Sequence, residues 1–494
     1  MGVEPLLLGI DLGTGSVKTA LVNPAGAVVA TGACAYQSGS RENTSSEVDP
    51  QTWWAAVLDA VAMGLNDRGA NVVSVGLSGQ MHGVVLLDAN LHPVRPAITW
   101  IDDRTGYLAP KFEAVALACG GIALPNPVIP GMAALSLMWL VEKEPRCLDQ
   151  SIAVVQPKDW LGARLTGVAC SDASDASGTL LWDFVTDGWQ DELIERIGLP
   201  RTLFPVIQSP ESARGQLLPG PAHELGLLAG IPVSVGLADT AASLLGNECL
   251  RQGQAQLTIG SGGQICATLP EPRPDPTGAT HMFRGPLHDQ WYSAAAIASA
   301  GLALGWVRRL FGLSWSDFYD EAFSEPAKIS DPVFHPYVVG ERTPYMDERL
   351  RADWIGLSAR HSRPQLIRAA LEGTAFALRD AWDAFNALGH RKPMLCVAGG
   401  GSHDPRWRQM LANALETPLY LGDGAGGSSR GAALTAGCAI GWYDSLAQAP
   451  TTVSWKAEVE PDGEVIQTVA SLARFRATQG AQRLPDKASP RPSS

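Results

Sequence analysis

Gly9-Ile-Asp-Leu-Gly-Thr-Gly15, near the start of the 494-residue chain, returns half a chain later as Leu257-Thr-Ile-Gly-Ser-Gly-Gly263. Aligned on their glycines, the copies put Ile10 over Leu257, Leu12 over Ile259, Gly13 over Gly260, Thr14 over Ser261 and Gly15 over Gly262. Each copy lies between two strand-like runs, residues 6–10 and 17–22 in the first and 256–259 and 264–269 in the second. Strand, glycine-and-hydroxyl turn, strand predicts a hairpin whose tip exposes backbone N–H groups, with no Cβ to keep an anion away. Two such tips facing each other can hold a polyphosphate. The copies differ at one position that matters, because Asp11 is matched by Thr258, so only one tip is flanked by an acid.

A chain of this length exceeds one core of usual size, and the internal echo predicts two halves of similar build. The division expected is an N-terminal lobe over 1–245, a C-terminal lobe over 246–482 and a flexible tail over 483–494, where no apolar periodicity remains. Hydrophobic residues at 46% with 18% charged fit an α/β protein, and the 15 Trp supply bulky core and pocket material. A net charge of −13 provides no basic field for a nucleic-acid backbone or an anionic membrane. A phosphorylated ligand is therefore held by local dipoles and a metal ion. The eight Cys are scattered without zinc-like spacing, which predicts buried free thiols in a reducing compartment, the cytoplasm. No cationic stretch followed by an apolar one opens the sequence, and the weakly apolar stretch 293–307 reads as a packed helix too short and too rich in small residues to span a membrane.

Asp49 and Pro50 supply an N-cap and N1 proline for a helix over 52–65, where Trp54, Val57, Leu58, Val61 and Leu65 recur at helical spacing. A strand over 72–77 runs into the polar segment Ser78-Gly-Gln-Met-His-Gly83 before the next strand at 84–87. A polar segment inside a buried strand pair faces a cleft. The apolar run 96–100, ending in Asp102 and Arg104, repeats that logic, and a strand over 231–237 delivers Asp239 and Thr240 at its C-terminal end. In the second half, Pro364 opens a long amphipathic helix that closes at Gly389. A strand over 394–398 enters Gly399-Gly-Gly-Ser402; a helix over 407–415, a strand over 418–421, a glycine-rich stretch over 422–427 and a helix over 430–436 follow. This alternation predicts layered α/β domains.

No Walker A sequence is present. Gly422, Gly424 and Gly427 fit G-x-G-x-x-G, but no apolar strand ends at Asp444, so a dinucleotide site is disfavoured against a helix-entry loop or a loop lining an adenosine pocket. Asp11 is either a turn former or, at the end of a strand fit for burial, a carboxylate that needs water, metal or donors. Asp239 is either a helix cap or a catalytic group at a strand's C-terminal end. Met81 and His82 are either core residues or, with Ser78 and Gln80 on the same strand interruption, cleft residues. The Gly399-Gly-Gly401 turn is either an αL cap or a place where a flat base approaches the backbone.

These segments resemble the FGGY family of sugar kinases, its xylulokinase branch above all, over nearly the whole chain. The matching stretches are Gly9-Ile-Asp-Leu-Gly-Thr-Gly-Ser-Val-Lys18, Gly79-Gln-Met-His-Gly83, Arg95-Pro-Ala-Ile-Thr-Trp100, Pro157-Lys-Asp-Trp160 and Ser171-Asp-Ala-Ser-Asp-Ala-Ser-Gly-Thr179. Gly340-Glu-Arg-Thr-Pro-Tyr345, Leu371-Glu-Gly373 and Gly399-Gly-Gly-Ser402 with Trp407-Arg-Gln-Met-Leu411 continue the match. The resemblance implies two ribonuclease-H-like lobes of the actin and hexokinase type, ATP and Mg²⁺ in the cleft, and phosphorylation of a ketopentose at its terminal hydroxyl, D-xylulose first. It implies Asp239 as proton acceptor, Asp11 beside the metal and phosphates, and both as the side chains toward Mg²⁺. Met81 and His82, with Gln80, Trp100, Asp102, Asp239 and Thr240, are expected around the sugar. Thr14, Gly15, Lys18, Gly260, Ser261 and Gly262 are expected at the phosphates, and Gly400, Gly401 and Asn413 at the adenosine. The partners implied are a sugar and ATP, with no nucleic acid or membrane and a homodimer as the one protein assembly. Two departures stand out: Thr240 replaces the Asn usual after the acid, and the second tip reads Ile-Gly-Ser-Gly-Gly in place of Leu-Gly-Thr-Ser-Gly. Another ketose or polyol as substrate, and a non-catalytic sugar-binding protein of the same fold, are the alternatives; the latter would lack one of the two acids.

Overall fold

The computed structural model describes residues 4–37, 46–66, 68–119, 124–390, 394–422 and 427–479. The tail expected over 483–494 and most of the glycine-rich stretch over 422–427, Gly424 included, lie outside the described residues.

Both expected hairpins form, and each seeds a sheet. The first sheet comprises β1 (Leu6–Leu12), β2 (Ser16–Val22), β3 (Val28–Ala35), β4 (Val72–Gly79), β5 (Ala213–Gln216), β6 (Pro232–Ser234) and β7 (Leu237–Ala238). Its order is β5-β6-β4-β1-β2-β3, with β7 also paired to β4. The second sheet comprises β8 (Gln254–Ile259), β9 (Gly263–Leu269), β10 (His281–Arg284), β11 (Trp291–Ile297), β12 (Met394–Ala398), β13 (Leu419–Gly422) and β14 (Trp455–Val459), in the order β10-β11-β9-β8-β12-β13-β14. Counted outward from the hairpins, the two share a pattern: β1-β2-β3 and β8-β9-β11 are antiparallel meanders, while β4 then β6, and β12 then β13, add in parallel on the other side. A parallel return needs a crossover, supplied by α1 (Pro50–Leu65) in the first half. Asp49 caps α1 by accepting from the Gln51 N–H, with Pro50 at N1 as expected.

The strand expected over 231–237 is split into β6 and β7 at Gly236, which has φ 85° and where a Cβ would fall 2.1 Å from the Leu77 carbonyl oxygen. The break lets β7 realign on β4 and aim the start of α2 (Asp239–Gly246) into the space between the sheets. The helix expected over 293–307 is a correction. Its first part is strand β11, paired with β9 at seven positions and with β10 on the other side, and only from Gly301 does α3 (Gly301–Leu310) begin. The alanines favour helix locally, but two-sided ladder pairing and full burial of Ala294 and Ala295 outweigh that preference. The second half's crossover, α4 (Arg363–Ala387), opens on a Ser362–Gln365 capping box and ends before Gly389 at φ 89°. Next come α5 (Pro405–Leu415) and α6 (Gly427–Ala439).

Two helices are exchanged between the sheets. Helix α6, late in the chain, lies on the first sheet so closely that a Cβ on Gly9 would sit 1.8 Å from the Ser429 carbonyl oxygen, and one on Gly76 1.7 Å from that of Ala432. Helix α2 turns to the second sheet, where Ser243 Oγ accepts from Gln256 Nε2 (2.9 Å) and Asn247 Nδ2 donates to Gln256 Oε1 (2.8 Å). The helices meet backbone to backbone: a Cβ on Gly431 would lie 2.0 Å from the Ala242 oxygen and one on Gly246 1.9 Å from the Gly427 oxygen. Leu7, Leu237, Leu244, Cys266, Cys396 and Leu434 thus form one buried cluster across both halves. All eight cysteines are free thiols, five of them buried. Among the described residues no helix is long and apolar enough to cross a membrane.

Candidate active site

Asp11 occupies the penultimate position of β1, opposite Lys18 across the hairpin and beside Ser78 on β4. Ser78 Oγ donates to its carboxylate at 3.2 Å. Burial pushes the Asp11 carboxyl up to about 6, against the opposing pull of Lys18 and the Ser78 bond. Asp239 enters from the end of β7 as the first residue of α2. Burial, and next the charge of Asp11, push its carboxyl up to about 7, against the Thr240 N–H (2.6 Å) and hydroxyl (3.2 Å) that it accepts. Two carboxyls that feel each other's charge in a poorly solvated place favour a proton, or a cation, shared between them.

The first tip is braced from three sides. Gly13 N–H closes the turn on Ser16 O (3.1 Å), the Tyr36 hydroxyl donates to Gly13 O, and Trp100 Nε1 donates to Thr14 Oγ1 at 2.8 Å. The Arg342 guanidinium, from the second half, lies 4.8 Å above the Trp100 ring. At the second tip, Gly260 N–H bonds Gly262 O (2.9 Å), and Ser261 O accepts from the Ala300 and Leu302 N–H groups at the start of α3. The Gly399-Gly-Gly401 turn packs onto the same place, since a Cβ on Gly401 would be 2.6 Å from Ile259 O. Gly15 has nothing within 4 Å of where a Cβ would stand, and Gly260 only the Gly262 oxygen at 4.0 Å. Both tips therefore leave room for an anion.

Met81 and His82 sit on the expected strand interruption. His82, at φ 67°, donates its backbone N–H to Gln156 Oε1 (2.7 Å), while Gln156 Nε2 donates to Asp175 O (2.5 Å). Its Nδ1 lies 2.6 Å from Gly178 O. A carbonyl only accepts, so Nδ1 carries the proton. Burial lowers the ring to about 4, the Gly178 bond opposing and Arg342 assisting, so His82 is neutral at pH 7 and presents Nε2 as an acceptor. The Tyr292 hydroxyl reaches Met81 Sδ at 3.5 Å. Beneath this loop, fully buried Lys158 meets Asp159 (2.5 Å), Asp172 (3.2 Å) and Asp175 (3.3 Å). Burial opposes its charge, but the three aspartates outweigh that and hold the ammonium well above the usual lysine range. The segments 157–160 and 171–179 are thereby locked around His82.

Of the expected residues, Asp11 lies beside Lys18 and Asp239, Asp239 beside Thr240, and Thr14 beside Trp100, with Met81 and His82 adjacent on their loop; Gly260, Ser261 and Gly262 form the second tip, and Gly400 and Gly401 the turn after β12. Three expected residues stand otherwise. Gln80 bonds Tyr36 OH through Nε2 (3.4 Å) and so braces the first tip. Asp102 is wholly engaged, accepting from Ser46 N (2.7 Å) and from the Arg104 guanidinium (2.7 Å) two residues on. Asn413 is at the end of α5 remote from the Gly399 turn, about 12 Å along the axis from Pro405. Its side chain bonds Asp462 (2.9 Å) and Gln409 (3.1 Å) beside a separate cavity of about 470 Å³. Tyr36, Gln156, Gly178, Tyr292 and Arg342 were not foreseen; Gly178 and Arg342 lie inside the matching segments, while nothing local marks the others.

No group of three His, Cys, Asp or Glu among the described residues is placed to hold a metal. The mutually repelling Asp11–Asp239 pair still fits Mg²⁺, which takes one or two carboxylates and fills its shell with water and phosphate oxygens.

The comparisons with known proteins bear on the family and the fold. Residues 6–246 match the FGGY family of carbohydrate kinases, N-terminal domain, and residues 255–440 its C-terminal domain. The chain belongs to the FGGY family of carbohydrate kinases. This kinase is 35% identical to the xylulose kinase of Escherichia coli (strain K12) over 444 residues, 89% of this chain and 91% of that one. The crystal structure of a xyloylose kinase from Brucella ovis superposes with a TM-score of 0.84 at 31% identity, covering 96% of this chain and 98% of that chain. The gluconate kinase of Lactobacillus acidophilus, at 22% identity and a TM-score of 0.87 over 96% of this chain and 97% of that chain, shares the fold. The kinase is a phosphotransferase acting on a carbohydrate, in a family that uses ATP, generally with Mg²⁺.

Proposed function

We propose that this kinase transfers the γ-phosphoryl group of ATP to the terminal primary hydroxyl of D-xylulose, yielding D-xylulose 5-phosphate and ADP in the cytoplasm. The observation that supports the reading is the Asp239 carboxyl beside that of Asp11, which flanks the first tip, with Thr240 bonded to Gln264 at the base of the second. Asp239 takes the proton of the hydroxyl. The alcohol oxygen then forms its bond to the γ-phosphorus as the bond to the β–γ bridging oxygen breaks, and ADP leaves with that electron pair. The N–H groups around Thr14, Gly15, Ser261 and Gly262, with Lys18, face the charge that spreads over the phosphoryl oxygens. Asp11 and Asp239 are the side chains that would hold Mg²⁺, which would neutralise phosphate charge. Gly400 and Gly401 border the adenosine. Met81, His82, Trp100 and Thr240 surround the sugar, while Gln80 and Asp102 position their neighbours; Asn413 has no part. The lobes are 1–245 and 246–482.

The xylulose kinase relatives support D-xylulose as the substrate. Thr240 favours a second reading, another ketose or polyol, because its single hydroxyl proton is already claimed by one of two acceptors, Asp239 Oδ1 (3.2 Å) or Gln264 Oε1 (3.3 Å). Purified enzyme tested for ADP release against ketopentoses, polyols and gluconate decides. D-Xylulose is expected to give the highest kcat/KM; a different acceptor preferred about tenfold overturns the substrate and leaves the kinase.

A further inference from the structure

His281 is 5% exposed at the start of β10, and neither of its ring nitrogens has a hydrogen-bond partner. Buried polar groups are rarely left so, and an imidazole with both nitrogens bare needs a reason. Its surroundings supply one. His281 and Phe283, two apart on a strand, share a face, and their rings stack at 5.9 Å with 10° between planes. Phe283 stands 5.8 Å from the His82 ring and 5.3 Å from that of Tyr292, whose hydroxyl touches Met81. The face that carries His281 is thus the one turned to the Met81–His82 loop. Strand β10 is fixed against the first half along its outer edge, with Arg284 N–H on Ser177 Oγ (3.0 Å) and Met282 exchanging two bonds with the Asn126 amide (2.7 and 2.9 Å). Its position relative to His82 is therefore set by hydrogen bonds, not by loose lobe contact.

Burial, and then the charge of Arg342, keep the His281 ring neutral. A neutral imidazole offers one N–H donor and one bare acceptor. That pair matches a hydroxyl group, which itself donates and accepts. We infer that His281, from the second sheet, is a specificity-determining contact to a sugar hydroxyl, completing the pocket that Met81 and His82 begin on the first. A site built to hydrogen-bond an OH rejects analogues lacking it far better than an apolar wall does.

The inference rests on the sugar-kinase reading above. The test uses the full chain and two substitutions, His281→Phe and His281→Gln, with kcat, both KM values and melting temperature measured. His281→Phe is expected to raise the D-xylulose KM at least about tenfold while the ATP KM stays within about twofold and melting does not fall. His281→Gln, which keeps a donor and an acceptor, is expected to restore the sugar KM to within about threefold of wild type. A Phe variant with wild-type sugar KM overturns the inference, leaving a ring satisfied by water alone. So does a loss spread over both KM values with a lower melting temperature. If the wild type prefers another ketose or polyol, the substrate reading fails, and the same KM ratio measured with that acceptor still judges His281. A wild type that phosphorylates no sugar sinks both.

Discussion

Asp239→Asn separates the chemistry of the site from its stability. The carboxyl titrates at about 7 in the folded chain against 3.8 as the ordinary value, with burial as the main cause. Because the folded value is the higher one, the folded state binds more protons between them. Its contribution to stability is full below about pH 4 and is lost as pH rises through 7. At about 1.36 kcal/mol per pH unit the whole interval is worth roughly 4 kcal/mol, and partial exposure to cleft water reduces this to about 2 kcal/mol. Asn has the same shape without the charge. Urea melts without magnesium should therefore show variant and wild type equal near pH 4.5, with the variant ahead by about 2 kcal/mol at pH 8. ADP release should meanwhile fall by about 10²- to 10⁴-fold, the usual worth of a general base, with D-xylulose binding retained. Parallel stability profiles across this pH range would refute the buried-charge argument. A kcat above about a tenth of wild type would remove Asp239 from the proton transfer.

Asp11→Asn deletes the charge that raises the neighbouring carboxyl, so Asp239 ionises at lower pH; the acid limb of kcat/KM should move below its wild-type position near 7 while kcat falls, and an unmoved limb would show that the acids do not interact. Gly9→Ala places a methyl group 1.8 Å from the Ser429 oxygen, so the denaturation midpoint should drop by the equivalent of about 3 kcal/mol, checked against Gly15→Ala, where the position opens on empty space.

The hairpins, the crossover helices and the two acids were legible because their signals are local: glycine spacing, capping residues and an acid at the end of an apolar run. The stretch at 293–307 was not, since its alanines favour a helix and only its ladder partners, tens of residues earlier, make it a strand. The same distinction governs the site. Asp102 has the chemistry of a sugar ligand, but the guanidinium of Arg104 claims it. Gln80 points to Tyr36, and Asn413 is carried away from the cleft by two turns of helix. Tyr292, Arg342 and Phe283 meet Met81, Trp100 and His82 across roughly 200 residues of chain, a pairing that no pattern along the sequence encodes.

The exchanged helices explain how Asp239 is held. Asp239 emerges from the first sheet, yet the helix it begins is bonded to the second: Thr240 to Gln264, Ser243 to Gln256, Asn247 to Gln256. From the other direction, Ser428 at the start of α6 donates to the Asp239 carbonyl at 3.0 Å, while the rest of α6 packs on the first sheet. Both sets of bonds meet at the backbone-to-backbone contact of the two helices, so Asp239 is tied to both sheets at once. Its place beside Asp11 is thereby fixed by the fold and not by a ligand. In the proposed reaction such an arrangement would orient a hydroxyl on the carboxylate before the phosphoryl group arrives, which would place the alcohol ahead of water.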